Sequence, residues 1–298
     1  MSMKAPAWFE DALAMRPEER SVDVEGCPIR YLRWGDPQKP GLLLVHGNAA
    51  HAWWWSFIAP YLAADYHVVA INLSGMGDSG WRQNYTMELF AHEMIEVAED
   101  AGFYAVERPP IIVGHSFGGL CAVLTGSLFG DQLGGVVLVD SPINPPERPG
   151  ARPERTARAH NIYPTLDVAL GRYRLSPPQP CENTFLVDYV ARLSLKEVPG
   201  GWTWKFDRQI WRRFAIGDLA ARLRSISCRV AVLRGELSDL LPHEVGAYMF
   251  ELLGRNAPVV EIPQARHHVM LDQPLAFVTG LRALLADWEY SVPRRKVS

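Results

Sequence analysis

The sequence predicts an α/β protein with a mostly parallel sheet, and two patterns carry that prediction. Short, continuous apolar runs such as GLLLV from Gly41 and HVVAI from His67 are typical of strands that are buried on both faces. Helical stretches alternate with these runs, as in TMELFAHEMIEVAEDA at 86–101. Such alternation indicates parallel strands whose connecting helices cover both faces of one sheet.

The remaining elements follow the same order of strand and then helix. Each predicted strand is short, apolar and followed by turn residues. The predicted strands are 28–34, 41–47, 67–73, 110–115, 134–140, 229–235 and 257–263, and the further predicted helices are about 53–64 and 273–288.

One region, 141–227, breaks this rhythm. It contains no buried strand pattern, but it has proline clusters (SPINPPERPG, LSPPQP) and an aromatic-rich stretch, WTWKFDRQIWRRF. We interpret it as a helical insertion between two strands, above the carboxyl edge of the sheet. The predicted organisation is therefore a core formed by 1–140 and 228–298, interrupted by this insertion.

Composition excludes several classes of protein. The 298 residues, 48% of them hydrophobic, can bury the core of one large domain. A net charge of −3 provides no positive field to hold nucleic acid or an anionic membrane. The amino terminus lacks the apolar run of a signal peptide, so we predict a cytoplasmic protein. Four cysteines without a CxxC pair argue against a zinc site or a disulfide framework and predict buried free thiols.

The stretch IIVGHSFGGLCAVL places a serine, Ser116, between a strand and a helix. GHSFG fits the pattern GxSxG, in which a sharp turn exposes a nucleophilic hydroxyl above the sheet. The flanking glycines, Gly114 and Gly118, avoid collisions across so tight a turn. The backbone N–H of Phe117 would face the same space, where it can stabilise negative charge.

Four segments in order resemble the landmarks of the α/β-hydrolase family. They are HGN at 46–48, GMGDSG at 75–80, GHSFGG at 114–119 and HHVMLDQP at 267–274. The resemblance implies an eight-stranded, mostly parallel sheet with a helical cap inserted after the sixth strand, which matches the insertion. It also implies a catalytic triad in the chain order Ser, acid, His.

The resemblance assigns the base of this triad to His267. This residue stands seven positions before Pro274, the spacing that the family shows between its catalytic histidine and the last helix. We therefore prefer it to the adjacent His268. Asp272 fits the start of a helix better than a catalytic acid.

The triad acid has several candidates. Asp239 follows the seventh strand, where the family usually keeps this residue, and it is our preferred prediction. Most members carry the acid one position earlier, where this chain has Ser238. Asp140, at the end of the sixth strand, is the alternative that some members use, and Glu236 is a third candidate.

The resemblance also implies a second oxyanion donor, the backbone N–H of Asn48, beside that of Phe117. Haloalkane dehalogenases of the same family share HGN, and epoxide hydrolases are further members. Both groups use a carboxylate nucleophile, however, and position 116 is serine. The sequence therefore argues against both of these activities.

Aromatic residues provide candidates for a substrate pocket. Trp54, Phe57, Ile58 and Tyr61 share one face of the predicted helix and are expected in the core, whereas Trp53 or Trp55 could face the site. In the insertion, four aromatic residues would form an apolar underside that packs on the core or contacts substrate: Trp202, Trp204, Phe206 and Trp211. Arg152, Arg155 and Arg158 share a helical face that is either solvated or binds an anionic group.

These observations predict a serine hydrolase, without cofactor or metal, that cleaves a small, mainly apolar carboxylic ester or lactone through an acyl-enzyme. Carbon–carbon bond hydrolases and cofactor-free haloperoxidases or perhydrolases use the same triad and remain alternatives. A hypothesis of another class is a ligand-binding receptor with slow turnover. The expected partner is a small-molecule substrate, and no nucleic acid or membrane is expected.

Overall fold

The computed structural model describes residues 4–148, 161–212 and 214–290, and its centre is an eight-stranded sheet. The strands of the described chain are β1 (Glu18–Val24), β2 (Cys27–Trp34), β3 (Gly41–Val45), β4 (His67–Ile71), β5 (Ile111–His115), β6 (Gly135–Val139), β7 (Leu195–Val198), β8 (Gly201–Trp204), β9 (Arg229–Gly235) and β10 (Val259–Ile262). The sheet has the order β1-β2-β4-β3-β5-β6-β9-β10. Only β2 runs antiparallel to its neighbours β1 and β4, which confirms the predicted mostly parallel sheet.

The described chain contains helices before, between and after the strands. They are α1 (Ala7–Ala14), α2 (Met87–Asp100), α3 (Phe117–Phe129), α4 (Leu166–Leu170), α5 (Thr184–Leu193), α6 (Leu219–Arg224), α7 (His243–Leu252), α8 (Val269–Asp272) and α9 (Pro274–Tyr290). Helix α2 begins where the Thr86 hydroxyl accepts a hydrogen bond from the Leu89 amide at 3.1 Å. Within the described ranges, no helix has both the length and the apolar character needed to cross a membrane.

The core lies on both faces of the sheet, as continuous apolar strands require. Leu42 and Leu44 of β3 contact one apolar cluster, and Leu43 and Val45 contact the other. Successive side chains of a strand point to opposite faces, so this division shows that both faces are covered. All five residues of β3 are buried.

Strand β1 was not predicted from the sequence. Its residues, EERSVDV, are mostly charged or polar, and only Val24 is buried. It forms the edge of the sheet, where the Glu18 carboxylate accepts a hydrogen bond from Arg33 Nε at 2.9 Å. An edge strand with one face in solvent has no continuous apolar run, so the pattern of the interior strands cannot reveal it.

The segment between β6 and β9 is not purely helical, contrary to the prediction. Besides α4, α5 and α6 it contains an antiparallel hairpin of β7 and β8, so Trp202 and Trp204 lie on a strand. Val198 pairs with Gly201, so the turn is Pro199–Gly200, and the φ of 92° at Gly200 favours glycine. The division at 140/141 and 227/228 stays a prediction. Arg152, Arg155 and Arg158 lie outside the described residues.

Gly118 in α3 leaves no room for a side chain. A Cβ there would lie 2.4 Å from the carbonyl oxygen of His46 and 2.8 Å from that of Val45. Gly118→Ala is therefore expected to lower the free energy of unfolding by about 1–3 kcal/mol, the usual effect of overpacking, in urea denaturation. Gly126→Ala, in the same helix, is the matched control because its Cβ would meet Ile226 at an ordinary 3.4 Å. Equal losses in both variants would contradict this account.

Candidate active site

Ser116 lies at the junction of β5 and α3 in a strained backbone conformation. Its φ is 53° and its ψ is −119°, values that side-chain-bearing residues rarely adopt. The Ser116 amide donates a hydrogen bond to the Val139 carbonyl at 2.9 Å, which fixes the turn to the neighbouring strand β6. A Cβ at Gly114 would lie 2.5 Å from the Gly118 carbonyl oxygen. Glycine at 114 therefore permits the close approach of strand and helix that exposes the hydroxyl.

A chain of two hydrogen bonds connects the Ser116 hydroxyl to a buried carboxylate. Ser116 Oγ lies 3.0 Å from His267 Nε2, and His267 Nδ1 lies 2.8 Å from Asp140 Oδ2. Asp140 is fully buried and His267 is 3% exposed. With the proton on Nδ1, the imidazole presents a lone pair to the serine hydroxyl. This arrangement can remove the hydroxyl proton and stabilise the resulting imidazolium.

Two further donors hold the Asp140 carboxylate. The Gly235 amide donates to Oδ1 at 3.0 Å, and the Ser238 hydroxyl donates to Oδ2 at 2.6 Å. A buried carboxylate requires such partners, since burial removes its hydration. The donors come from the end of β9 and the loop after it, so the carboxylate joins that loop to the end of β6.

The structure corrects the preferred prediction for the triad acid. Asp239 is exposed, and its backbone carbonyl accepts a hydrogen bond from Arg148 at 3.2 Å. Glu236 is also exposed, and its carboxylate accepts from the Gln264 amide at 2.8 Å. The partner of His267 is Asp140, the alternative. In the loop after β9 it is Ser238 that points inward. Most family members carry the acid at this position, whereas here the Ser238 hydroxyl donates a hydrogen bond to Asp140.

The two predicted oxyanion donors lie beside Ser116. Asn48 lines the same cavity as Ser116. Phe117 is the first residue of α3, and the backbone amide of a first helical residue has no acceptor within its own helix. The preceding Gly47 has no space for a side chain, because a Cβ would lie 2.9 Å from His115 Nδ1 and 3.3 Å from Ser116 Cβ. The glycine therefore keeps the space over Ser116 open. That these amides bind an oxyanion stays a prediction.

The hydroxyl and the imidazole open onto a cavity of about 370 Å³. Its wall combines loops of the core with the segment between β6 and β9. Its lining includes aromatic, basic and amide side chains: Asn48, Trp54, Tyr163, Arg172, Tyr173, Arg174, Trp204, Phe206 and Arg208. Except for Asn48, Trp204 and Phe206, these residues were not predicted to face the site, because they carry no local motif and come together only through folding.

Trp54 lines the cavity, whereas the predicted Trp53 and Trp55 do not. Trp55 is fully buried against Phe277, with ring centroids 6.0 Å apart. The prediction assumed an α-helix, but Ala52–Trp55 is a 3₁₀-helix with about three residues per turn. The tighter winding changes which tryptophan faces the site.

The two tryptophans of β8 also differ from each other. Trp204 lines the cavity, where its ring contacts those of Tyr163 and Tyr173 at centroid distances of 5.9 and 6.0 Å. Trp202 is absent from the cavity wall, and its backbone pairs with that of Tyr163 through two 2.8 Å hydrogen bonds. Trp202 thus holds the hairpin to the segment that carries Tyr163.

Two more histidines surround His267. His115 Nε2 donates to the His267 carbonyl at 2.9 Å, and His268 Nε2 donates to the Pro177 carbonyl at 3.2 Å. Burial lowers the pKa of His268 to about 3 and that of His115 well below its ordinary value, so both are neutral near pH 7. The nitrogens of the three residues lie within 4.8 Å of one another. Because Ser116 and Asp140 occupy both nitrogens of His267, we assign no metal to this cluster.

Comparison with known proteins agrees with this geometry. A model of the alpha/beta hydrolase family matches residues 42–280. The chain belongs to this family. Esterase Rv0045c of Mycobacterium tuberculosis is 25% identical over 276 residues, which cover 88% of both chains. Epoxide hydrolase A of the same organism is 30% identical over 133 residues, 43% of this chain and 40% of the relative.

Solved structures of the family share the fold. The hydrolase of E-2-(acetamidomethylene)succinate is similar, with a TM-score of 0.77 and 22% identity over 91% of this chain and all of its own. The structure of esterase Rv0045c has a TM-score of 0.70 and 22% identity over 94% of this chain and 97% of its own. The relatives named above are an esterase, an epoxide hydrolase and a hydrolase of E-2-(acetamidomethylene)succinate. This chain therefore resembles proteins that are named as hydrolases.

Buried histidines near the site make the stability of this protein dependent on pH. Burial lowers the pKa of His46 to about 4 and that of His51 to about 3. An unfolded histidine titrates near pH 6.5, so below that pH the unfolded chain binds protons that the folded chain does not. The contribution of these two histidines to the free energy of unfolding is therefore fully present above about pH 6.5. It is lost as the pH falls toward their pKa values in the folded protein. Each such histidine adds a slope of about 1.4 kcal/mol per pH unit.

Urea unfolding at a series of pH values between about 7 and 5 measures this slope. His51→Gln is expected to reduce the slope of the unfolding free energy against pH by the amount that one histidine contributes, about 1.4 kcal/mol per pH unit. Leu186→Ala, which removes a buried side chain without a titrating group, should lower the free energy of unfolding at every pH and leave the slope unchanged. An unchanged slope in His51→Gln would refute the conclusion that burial lowers the pKa of His51.

Proposed function

We propose that this protein is a serine hydrolase that cleaves a small carboxylic ester or lactone through an acyl-enzyme. The observation that carries the proposal is the hydrogen-bonded series of Ser116, His267 and Asp140, which opens onto a cavity. A hydroxyl that merely stabilised the fold would need neither a buried imidazole nor a buried carboxylate behind it.

In the first half of the reaction, Ser116 Oγ attacks the carbonyl carbon while His267 Nε2 takes its proton. Asp140 accepts the Nδ1 hydrogen bond, holds the imidazole in the productive tautomer and stabilises its positive charge. The imidazolium then gives the proton to the departing alcohol. Collapse of the tetrahedral intermediate leaves the acyl group on Ser116.

Negative charge on the carbonyl oxygen would be stabilised by the backbone amides of Asn48 and Phe117. Both donors are held in place before the substrate binds, Phe117 by the start of α3 and Asn48 by the loop after β3. One such donor typically contributes about 3–4 kcal/mol of transition-state stabilisation.

In the second half, His267 activates a water molecule that attacks the acyl-enzyme, and Ser116 recovers its proton. These residues provide the nucleophile, the base and the charge stabilisation, so the proposed reaction requires no metal or cofactor. The aromatic surfaces of Trp54, Trp204 and Phe206 would contact apolar parts of a small substrate. Position 116 is serine, which supports an ester substrate over an epoxide, and the name of esterase Rv0045c agrees.

A fluorophosphonate probe tests the nucleophile. The wild-type protein is expected to be labelled rapidly at Ser116, as mass spectrometry of the labelled peptide would show. Labelling should vanish in Ser116→Ala and slow by about 10²–10⁴-fold in His267→Ala, because the base is lost. Ser127→Ala, which removes a hydroxyl from the same helix, is the matched control. A folded wild-type protein that resists labelling would favour a ligand-binding receptor instead.

The choice of acid is tested by a pair of isosteric substitutions. Asp140→Asn is expected to lower kcat about 10⁴-fold on p-nitrophenyl esters, since an amide cannot hold the productive tautomer or balance the imidazolium. Asp239→Asn should stay within about twofold of the wild type, because that side chain is exposed. A larger loss in Asp239→Asn than in Asp140→Asn would overturn the assignment.

A further inference from the structure

The active-site cavity carries a positive charge that the overall composition does not suggest. The chain has a net charge of −3, yet three arginines, Arg172, Arg174 and Arg208, line this cavity. Among the described lining residues there is no aspartate or glutamate. A cavity lined by charges of one sign concentrates ligands of the opposite sign.

The three arginines come from two places in the segment between β6 and β9. Arg172 and Arg174 lie in the turn after α4, and Arg208 begins the 3₁₀-helix Arg208–Arg212 after β8. A hydrogen bond from Asn161 lowers the pKa of Tyr163, and the charges of Arg172 and Arg208 lower it further. Tyr163, Arg172 and Arg208 all line the cavity.

The arginines differ in how the protein uses them. Arg174 Nη1 donates to the Gly171 carbonyl at 3.0 Å and so stabilises the turn that carries Arg172. Among the described residues, no carboxylate forms an ion pair with Arg172. Arg192, by contrast, pairs with Asp188 at 2.8 Å on the neighbouring helix α5. Arg172 thus has hydrogen-bond donors available to a ligand.

We propose that the substrate carries a carboxylate, in either its acyl or its alcohol part. Arg172 binds this carboxylate, and the positive charge of Arg208 in the same cavity wall adds to the attraction. This inference rests on the proposed function, because it places an ester carbonyl at Ser116 in the same cavity. A guanidinium matches a carboxylate with two parallel hydrogen bonds, which orients the substrate as well as holding it. The ring of Trp204, which lines the same cavity, provides an apolar surface for the carbon chain between the ester and the carboxylate.

Matched ester pairs test the proposal by kinetics. Monoethyl succinate differs from ethyl butyrate by a carboxylate in place of a methyl group on the acyl side. Acetoxyacetate differs from ethyl acetate in the same way on the alcohol side. In at least one pair, kcat/KM measured by pH-stat should be higher for the anionic ester, and 0.5 M NaCl should reduce that preference by screening.

Arginine variants assign the preference to this wall of the cavity. Arg172→Met and Arg208→Met are each expected to lower the ratio of anionic to neutral kcat/KM about tenfold. Arg224→Met, which removes the same charge at an exposed position of α6 outside the cavity wall, should leave the ratio unchanged. Ratios of one or less in both wild-type pairs, or ratios that neither cavity variant changes, would overturn the proposal.

A binding experiment separates this inference from the proposed reaction. In Ser116→Ala, tryptophan fluorescence should report succinate binding at least tenfold tighter than butyramide, a difference that is lost when Arg172→Met is added. Failure of fluorophosphonate labelling and of all ester hydrolysis would refute the proposed reaction, and the titration would still decide the carboxylate site. Equal affinities for succinate and butyramide would refute that site even in an active esterase.

Discussion

The buried carboxylate of Asp140 is the constraint on which the site depends. It is fully buried and accepts hydrogen bonds from the Gly235 amide, the Ser238 hydroxyl and His267. A charge removed from water is tolerated only when donors surround it. Asp140 therefore fixes three separate parts of the chain: the end of β6, the loop after β9 and the loop that carries His267. The position of the imidazole over Ser116 follows from this arrangement.

The parallel sheet provides the rigid base for this arrangement. Ser116 follows β5 and Asp140 follows β6, and these adjacent parallel strands end at the same edge. The strained conformation of Ser116 persists because the glycines on either side allow β5 and α3 to pack closely, and because its amide bonds to Val139. The buried sheet compensates the cost of the strained backbone at Ser116. The strained conformation in turn keeps the Ser116 hydroxyl facing the cavity.

The segment between β6 and β9 has a different role, since it supplies the wall that faces the substrate. It is anchored to the core by hydrogen bonds from the Asp207 amide to the Gly75 carbonyl at 2.6 Å and from the Tyr85 hydroxyl to the Asp207 carboxylate at 2.8 Å. Gly75 belongs to the GMGDSG landmark. The loop formed by this landmark therefore binds the segment between β6 and β9 that lines the cavity. In the proposed function, chemistry and specificity would come from separate parts of the fold: Ser116 and Asp140 follow strands of the sheet, and Arg172 and Arg208 lie in the segment between β6 and β9.

The sequence by itself determined the α/β class, the mostly parallel sheet and the candidate nucleophile and base. These features have local signals: apolar runs for buried strands, glycines around Ser116, and the fixed spacing from His267 to the last helix. Only the tertiary structure decided that Asp140 rather than Asp239 meets His267, that Trp54 rather than Trp53 or Trp55 lines the cavity, and that arginines share its wall. Each of these depends on which way a loop or a 3₁₀ turn directs a side chain and on contacts between residues far apart in the chain. A one-residue shift in a loop changes that direction without changing the pattern of the sequence, so local signals cannot reveal it.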